Sequence, residues 1–202
     1  MATIGFDQLY YALITEDENG VETYAKPERL AKAITAELSV ELAEAVLYAD
    51  DGAAEVVKEF KSGTLTLGVD DIGVKAAEVL TGAKADKNGV LVSTTEDVGQ
   101  NVAIGFRAKK ANQTYRYYWL YRVRFGIPSV NLETKGNEIN FQTPSIEGTV
   151  GRRNKPDGLG HHPWKTEADE DKPESKEAIK TWFSTVYEPD YTAVEPGGVT
   201  NG

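Results

Sequence analysis

Residues 100–125 constrain this chain more than any other stretch. "QNVAIGFRAKK" and "TYRYYWLYRVRF" flank "ANQ": two runs rich in aromatic and aliphatic residues on either side of a turn signal. The pattern predicts a β-hairpin turning near Asn112–Gln113. With Ala111 opposite Thr114, Phe106 faces Trp119, Ile104 faces Tyr121 and Val102 faces Val123. One face is then apolar and aromatic, and the other gathers Arg107, Lys109, Arg116, Arg122 and Arg124. A one-residue slip would mix the two sets. Like charges directly opposite, such as Lys109 and Arg116, are unfavourable unless something acidic lies over them. Three readings of the basic face follow: a solvated surface, a contact with acidic groups of another subunit, or a contact with nucleic acid.

The remaining sequence also reads as mainly β. Residues 6–15 ("FDQLYYALIT") predict a first strand, and "EDENG" at 16–20 predicts a turn of residues that tolerate tight geometry. In 32–42 ("KAITAELSVEL"), Ile34, Ala36, Leu38, Val40 and Leu42 alternate with Thr35, Glu37, Ser39 and Glu41. Ala, Glu and Leu favour a helix, but the unbroken period of two predicts a half-buried strand. Strand character resumes at Val56–Phe60 and in "GTLTLGV" at 63–69. Over 71–81 the period changes. Ile72, Ala76, Val79 and Leu80 share a helical face, with Asp71 as its cap and Gly82 as its stop. "GAKADKNG" reads as a loop and "VLVSTT" as a short strand. Residues 129–150 continue as strands around the turn "TKGNE".

From Gly151 the composition shifts. "GRRNKPDGLGHHPWKTEADEDKP" is rich in Gly, Pro and charge and reads as an extended arm or loop. In a final helix Ala178, Ile179, Trp182, Phe183 and Val186 form the apolar face, and "EPGGVTNG" reads as a loose tail. No internal repeat is evident. The sum predicts a mainly β fold, a β-sandwich or partly open barrel, with one flanking helix and a short C-terminal helix. Residues 1–150 form its β-domain, and 151–202 form a C-terminal arm belonging to the same unit.

Chemistry finds little support. The 202 residues carry 22 Lys+Arg against 32 Asp+Glu, a formal net charge of -10, which argues against a dedicated DNA-binding protein. With no cysteine there is neither a disulfide framework nor a thiolate site. The opening residues lack a basic start and a long apolar run, so no signal peptide is expected. No run approaches the roughly 20 apolar residues of a membrane span. "YADDGAAE" places Asp50 and Asp51 side by side, which breaks the spacing of a calcium loop and favours a turn ending at Gly52. His161 and His162, the two histidines, are adjacent and cannot readily address one metal ion. The acidic run at 167–171 reads as solvated. Neither a nucleophile elbow nor a phosphate-binding glycine motif occurs. An enzyme remains possible on the residues alone, but no motif argues for one.

"TIGFDQLYYALIT", "LYADDGAAE" at 47–55, "GTLTLGV" and the helix "VKAAEVLTG" resemble the major tail proteins, or tail tube proteins, of long-tailed bacteriophages infecting Gram-positive bacteria. The resemblance runs from the amino terminus to about residue 150, and "LYADDG" is its most specific part. It implies the tail-tube type of β-sandwich or barrel, flanked by a helix. It also implies hexameric rings stacked into a hollow conduit for genome delivery, with no enzyme activity and no cofactor. The implied setting is the virion tail, assembled in the host cytoplasm without membrane contact. Implied partners are further copies of the chain, the tape-measure, tail terminator and distal tail proteins, and DNA passing through the lumen without sequence-specific binding. A flexible tail, a contractile tail and a phage-derived bacteriocin all remain open.

On that footing the Thr35–Glu37–Ser39–Glu41 face is expected to line the lumen. DNA carries one negative charge per about 1.7 Å, so an acidic lining lets it slide where a basic one would hold it. Asp50, Asp51 and Gly52, together with Arg107, Lys109, Arg116, Arg122 and Arg124, are expected at subunit interfaces. The amino-terminal segment and residues 151–175 are further candidates for ring-to-ring contacts. The alternative from another class is a carbohydrate-binding β-sandwich using Tyr115, Tyr117, Tyr118, Trp119 and Tyr121 as a stacking platform, although their pattern suits a core better.

Overall fold

A computed structural model describes residues 2–19, 21–49, 52–129 and 143–191, with the backbone alone at 46–49 and 52–55. The chain order is β1 (Thr3–Glu16), β2 (Glu22–Tyr24), β3 (Glu28–Ala31), β4 (Ala33–Ala49), β5 (Gly52–Val69), α1 (Val74–Thr81), β6 (Lys84–Ala85), β7 (Leu91–Val92), β8 (Asn101–Lys110), β9 (Tyr115–Phe125), β10 (Ser145–Gly151), β11 (Lys165–Asp169) and α2 (Lys176–Lys180). Nine strands form one antiparallel sheet ordered β2-β1-β8-β9-β10-β5-β4, with β11 added to β9 and β3 to β1. β6 and β7 make a separate small hairpin. The fold is mainly β with two short helices, as the sequence predicts. Of the residues with sequence expectations, Asp50, Asp51, the "TKGNE" turn and the "EPGGVTNG" tail lie outside the described residues.

The sheet curls until the first halves of β1 and β4 border one groove without pairing. Its inner face carries a core of Leu9, Tyr11, Leu65, Leu67, Val69, Val102, Ile104, Leu120, Val123, Phe125, Ile146 and Val150, all buried. α1 closes over it with Ala76 and Leu80. Asp71 does not cap this helix. Gly73, with extended backbone, stands at the N-cap without a side-chain bond, and the neighbouring Asp70 instead accepts the Lys32 amide at 2.8 Å. Gly82 ends the helix at φ 82, a left-handed conformation that suits glycine.

The β8–β9 hairpin differs from the predicted register. Its loop has three residues, Ala111 to Gln113, with the Lys110 amide bonded to Thr114 O and Gln113 at φ 72. Asn112–Gln113 lacks the glycine that favours a two-residue turn with two positive φ angles, so the three-residue form is adopted. Near the turn this shifts every pair by one: Phe106 faces Tyr118 and Gly105 faces Trp119. A bulge with one extra residue in β9, at Tyr121–Arg122, restores Val102 opposite Val123. Leu120, Val123 and Phe125 therefore point into the inner core. Tyr117, Trp119 and Tyr121 build a second core on the outer face with Ala12, Ala103, Ala168, Trp182 and Val186. Both faces of the hairpin are apolar, contrary to the one-apolar, one-basic expectation.

Beyond Gly151, the stretch read as an extended arm or loop contains a strand of the sheet. β11 pairs with β9 from Lys165↔Leu120 to Asp169↔Arg116. The predicted last helix is one short turn, α2, and Trp182 and Val186 lie beyond it. These residues seal the outer core. The Trp119 Nε1–H donates to Trp182 O at 3.0 Å and the Tyr121 hydroxyl donates to Tyr187 O at 2.8 Å.

Gly105 exists for this packing, because a Cβ there would meet the Trp119 ring at 2.6 Å. Gly105→Ala is expected to lower unfolding free energy by about 2 kcal/mol through overpacking, measured as a shift of the urea midpoint followed by tryptophan fluorescence.

Candidate assembly surface

The positive residues of the hairpin do not form one surface. Arg107 lies in register with Tyr117, on the outer face, whereas Arg116 lies opposite Ala108. Each of four cations meets a carboxylate of the same chain. Arg107 Nε donates to Asp7 at 2.6 Å, and its guanidinium lies 4.0 Å over the Tyr115 ring. Arg116 bonds Asp169 at 2.9 Å. Lys110, buried, bonds both Asp169 and Asp171. Arg122 bonds Glu22, a buried carboxylate that also accepts the amides of Asn154 and Lys155. Arg124 Nε donates to Gly99 O at 2.9 Å. Among the described residues no ion pair holds Lys109. The acidic run at 167–171 is thus only partly solvated: it supplies the counter-charges that the opposed cations of the hairpin require.

Hydrogen bonds from Lys110 hold the Asp169 and Asp171 carboxyls below the usual carboxylate range, with Arg116 adding to the effect at Asp169. Burial raises the Tyr24 and Tyr121 hydroxyls above the ordinary tyrosine range.

Three of the five platform rings are enclosed: Trp119 and Tyr121 are both 0 % exposed, and Tyr117 packs against Trp182 and Phe183. Tyr115 and Tyr118 are half-buried; the Arg107 guanidinium covers the Tyr115 ring, and Tyr118 stacks on Phe106 at 5.0 Å.

The surface left open is at the other end of the sheet. In register across β4, β5 and β10 run Thr35–Gly68–Ser145, Glu37–Thr66–Glu147 and Ser39–Thr64–Thr149, the last row reaching Arg124 of β9. Residues in register share a face, so three adjacent strands present Thr, Ser and Glu on the outer side, with Gly68 buried under the Thr35 side chain. Glu41 extends the face opposite Ser62. It accepts from Lys61 at 2.6 Å and from Ser62 at 3.1 Å, and the Lys61 bond lowers its pKa. Among the described residues no ion pair holds Glu37 or Glu147. The four sequence-nominated residues Thr35, Glu37, Ser39 and Glu41 are all exposed.

β4 departs from the half-buried expectation in being exposed on both faces. It is the last strand of the sheet, so its apolar side meets the core only on its β5 flank. Ile34 is 48 %, Leu38 36 %, Val40 41 % and Leu42 53 % exposed. The β4–β5 pair is also long: it continues past a register shift at Glu41/Leu42 out to Ala49↔Gly52. At that shift Phe60 stacks on Trp164, 4.4 Å between centroids and 3° between planes, tying the hairpin to the segment before β11. Gly52 opens β5 and pairs with Ala49, the last residue of β4.

No family model matches the chain, and no curated protein matches it. Among solved structures, the tube-terminating cap of an anti-feeding prophage, determined by cryo-EM, is similar at 10% identity over 84% of this chain and 93% of that chain, with a TM-score of 0.39. No helix among the described residues is long and apolar enough to cross a membrane.

Two outcomes follow from the ion pairs. Glu22→Ala strands the Arg122 charge and two amides, and is expected to cost about 3 kcal/mol, read from chemical unfolding. The depressed Asp169 and Asp171 pKa values favour the charged carboxylates in the fold. Their contribution is present above the unfolded pKa, near 4, and is lost as pH falls below it. Asp169→Asn should therefore lower the melting temperature at pH 7 and flatten its decline between pH 4 and pH 2, measured by calorimetry.

Proposed function

We propose that this chain is a virion structural protein, the subunit of a phage tail tube, forming hexameric rings that stack into a hollow conduit for the genome. The observation that carries the reading is the outer face of β4, β5 and β10. It is a band of Thr, Ser and Glu bounded by β4, an edge strand whose outer backbone groups pair with no strand among the described residues and whose apolar side chains are only partly covered. Natural proteins blunt or cover such an edge, and β4 instead leaves Ile34, Leu38, Val40 and Leu42 open. Another copy of the chain is the partner that supplies cover repetitively. A head-to-tail contact of this kind closes into a ring or propagates as a filament. The tail-tube resemblance of residues 1–150 points the same way.

In this assembly Thr35, Glu37, Ser39 and Glu41, joined by Thr64, Thr66, Glu147 and Thr149, line the lumen. Short hydroxyl side chains keep the wall smooth, and the carboxylates repel the phosphates of passing DNA. The chain performs no chemistry, and the function is a conduit and a length-spanning polymer. Gly52, where β5 begins, reaches the neighbouring ring, and the same role is proposed for Asp50 and Asp51, which lie outside the described residues. The hairpin cations are already paired within the chain, so their proposed interface role is reduced to Lys109 and to the outer rims of Arg107, Arg116, Arg122 and Arg124.

Two variants test the reading. Val40→Lys places a charge on the open edge and is expected to weaken self-association at least tenfold, an order of magnitude typical of about 1.4 kcal/mol, with no change in melting temperature; sedimentation velocity reads both mass and shape. Glu37→Lys with Glu41→Lys should leave tubes intact and slow genome ejection in a reconstituted particle. Normal ejection from tubes of that double variant would remove the lumen assignment.

A further inference from the structure

β1 is not uniform along its length. Its second half has partners on both edges of the strand: β8 along Tyr10–Leu13 on one, and β3 along Leu9–Tyr11 followed by β2 along Ile14–Glu16 on the other. Leu9, Tyr11 and Ala12 are fully or almost fully buried. From Thr3 to Asp7 it pairs with β8 alone. Residues 2–5 and Asp7 are exposed, and Ile4 is 60 % exposed. Between the halves lies Gln8 at φ 55, inside a register shift between Asp7 and Tyr10. A glutamine in the left-handed region is strained, and a strand interior is an unusual place for it. A second register shift separates Thr3 from Gly5.

Few contacts fasten the outer half. Ala111 N donates to Ala2 O at 3.0 Å. Asp7 pairs with Arg107. Phe6 meets Phe106 edge-on at 6.0 Å. Beneath and beside the half-strand runs the groove of about 520 Å³ between β1 and β4, whose walls include Phe106, Ala108, Tyr118, Leu120 and Leu65.

We propose that residues 2–7 are a hinged half-strand that opens about Gln8 while the rest of the fold stays intact, uncovering the edge of β8 and the apolar floor of the groove. Three features combine to this end: a strained hinge that relaxes when the segment leaves, a single paired edge, and one ion pair as the latch. Opening is a property of the single chain and does not depend on the tube reading.

The test is hydrogen–deuterium exchange by mass spectrometry on the dilute full chain, with peptides that separate residues 3–7 from 9–14. Amides of 3–7 are expected to exchange at least tenfold faster than those of 9–14. Gln8→Val, which worsens the strain, should speed exchange of 3–7 by about tenfold, and Gln8→Gly, which relieves it, should slow it. Asp7→Asn, which breaks the latch, should speed it several-fold. In all three variants residues 9–14 stay as in the parent. Equal protection of both halves, or variants that move both halves together, would overturn the proposal.

Discussion

A β-strand has two faces, and a chain of this size must cover both wherever it places large aromatic residues at consecutive positions. β9 does so: Trp119, Leu120 and Tyr121 are all 0 % exposed. The bulge at Tyr121–Arg122 sends Trp119 and Tyr121 to one side and Leu120, Val123 and Phe125 to the other. The curled sheet and α1 cover the inner side. The outer side needs a second layer, supplied by β11 and the segment from Trp182 to Tyr187. The segment from Lys165 to Tyr187 is thus committed to the fold, held in part by the Trp182 and Tyr187 carbonyls, which accept from the Trp119 and Tyr121 side chains.

Electrostatics follows from the same arrangement. Cations on β8 and β9 lie close together, and their mutual repulsion requires acids nearby. Asp7, Glu22, Asp169 and Asp171 come from segments far away in sequence and converge there. Each pair fastens a peripheral segment onto the central hairpin. Once the outer layer and its ion pairs are in place, the described residues leave the β4, β5 and β10 end of the sheet uncovered. There the outer face is hydroxyl-rich and acidic, while the edge is apolar and unpaired. That division of one sheet into a sealed half and an open half underlies the assembly proposal.

Much of this was legible in the sequence. Period-two alternation located β4, and the four residues of its polar face are together on the outer surface. The period change at residue 71 located α1, and Gly82 ends it for the expected conformational reason. What escaped was long-range. A turn one residue longer than expected and a bulge in β9 together redistributed Trp119, Tyr121 and the arginines between faces, and neither leaves a glycine or proline signal. The carboxylates that answer Arg122 and Lys110 lie 100 and 59 residues away in sequence. The run "EADED" reads as solvated because the cations that answer Asp169 and Asp171 are distant in sequence. The exposure of Leu38 and Val40 was equally hidden: alternation reports that a strand has an apolar side, not whether its own chain covers it.

The most direct measurement is cryo-electron microscopy of the purified chain across a wide concentration range, resolved far enough to orient the sheet. The account predicts rings or hollow tubes in which the β4 edge is covered by a neighbouring copy and the Thr35–Glu37–Ser39–Glu41 face turns toward the lumen. An assembly with that face turned outward, or with the β4 edge still open, would contradict it.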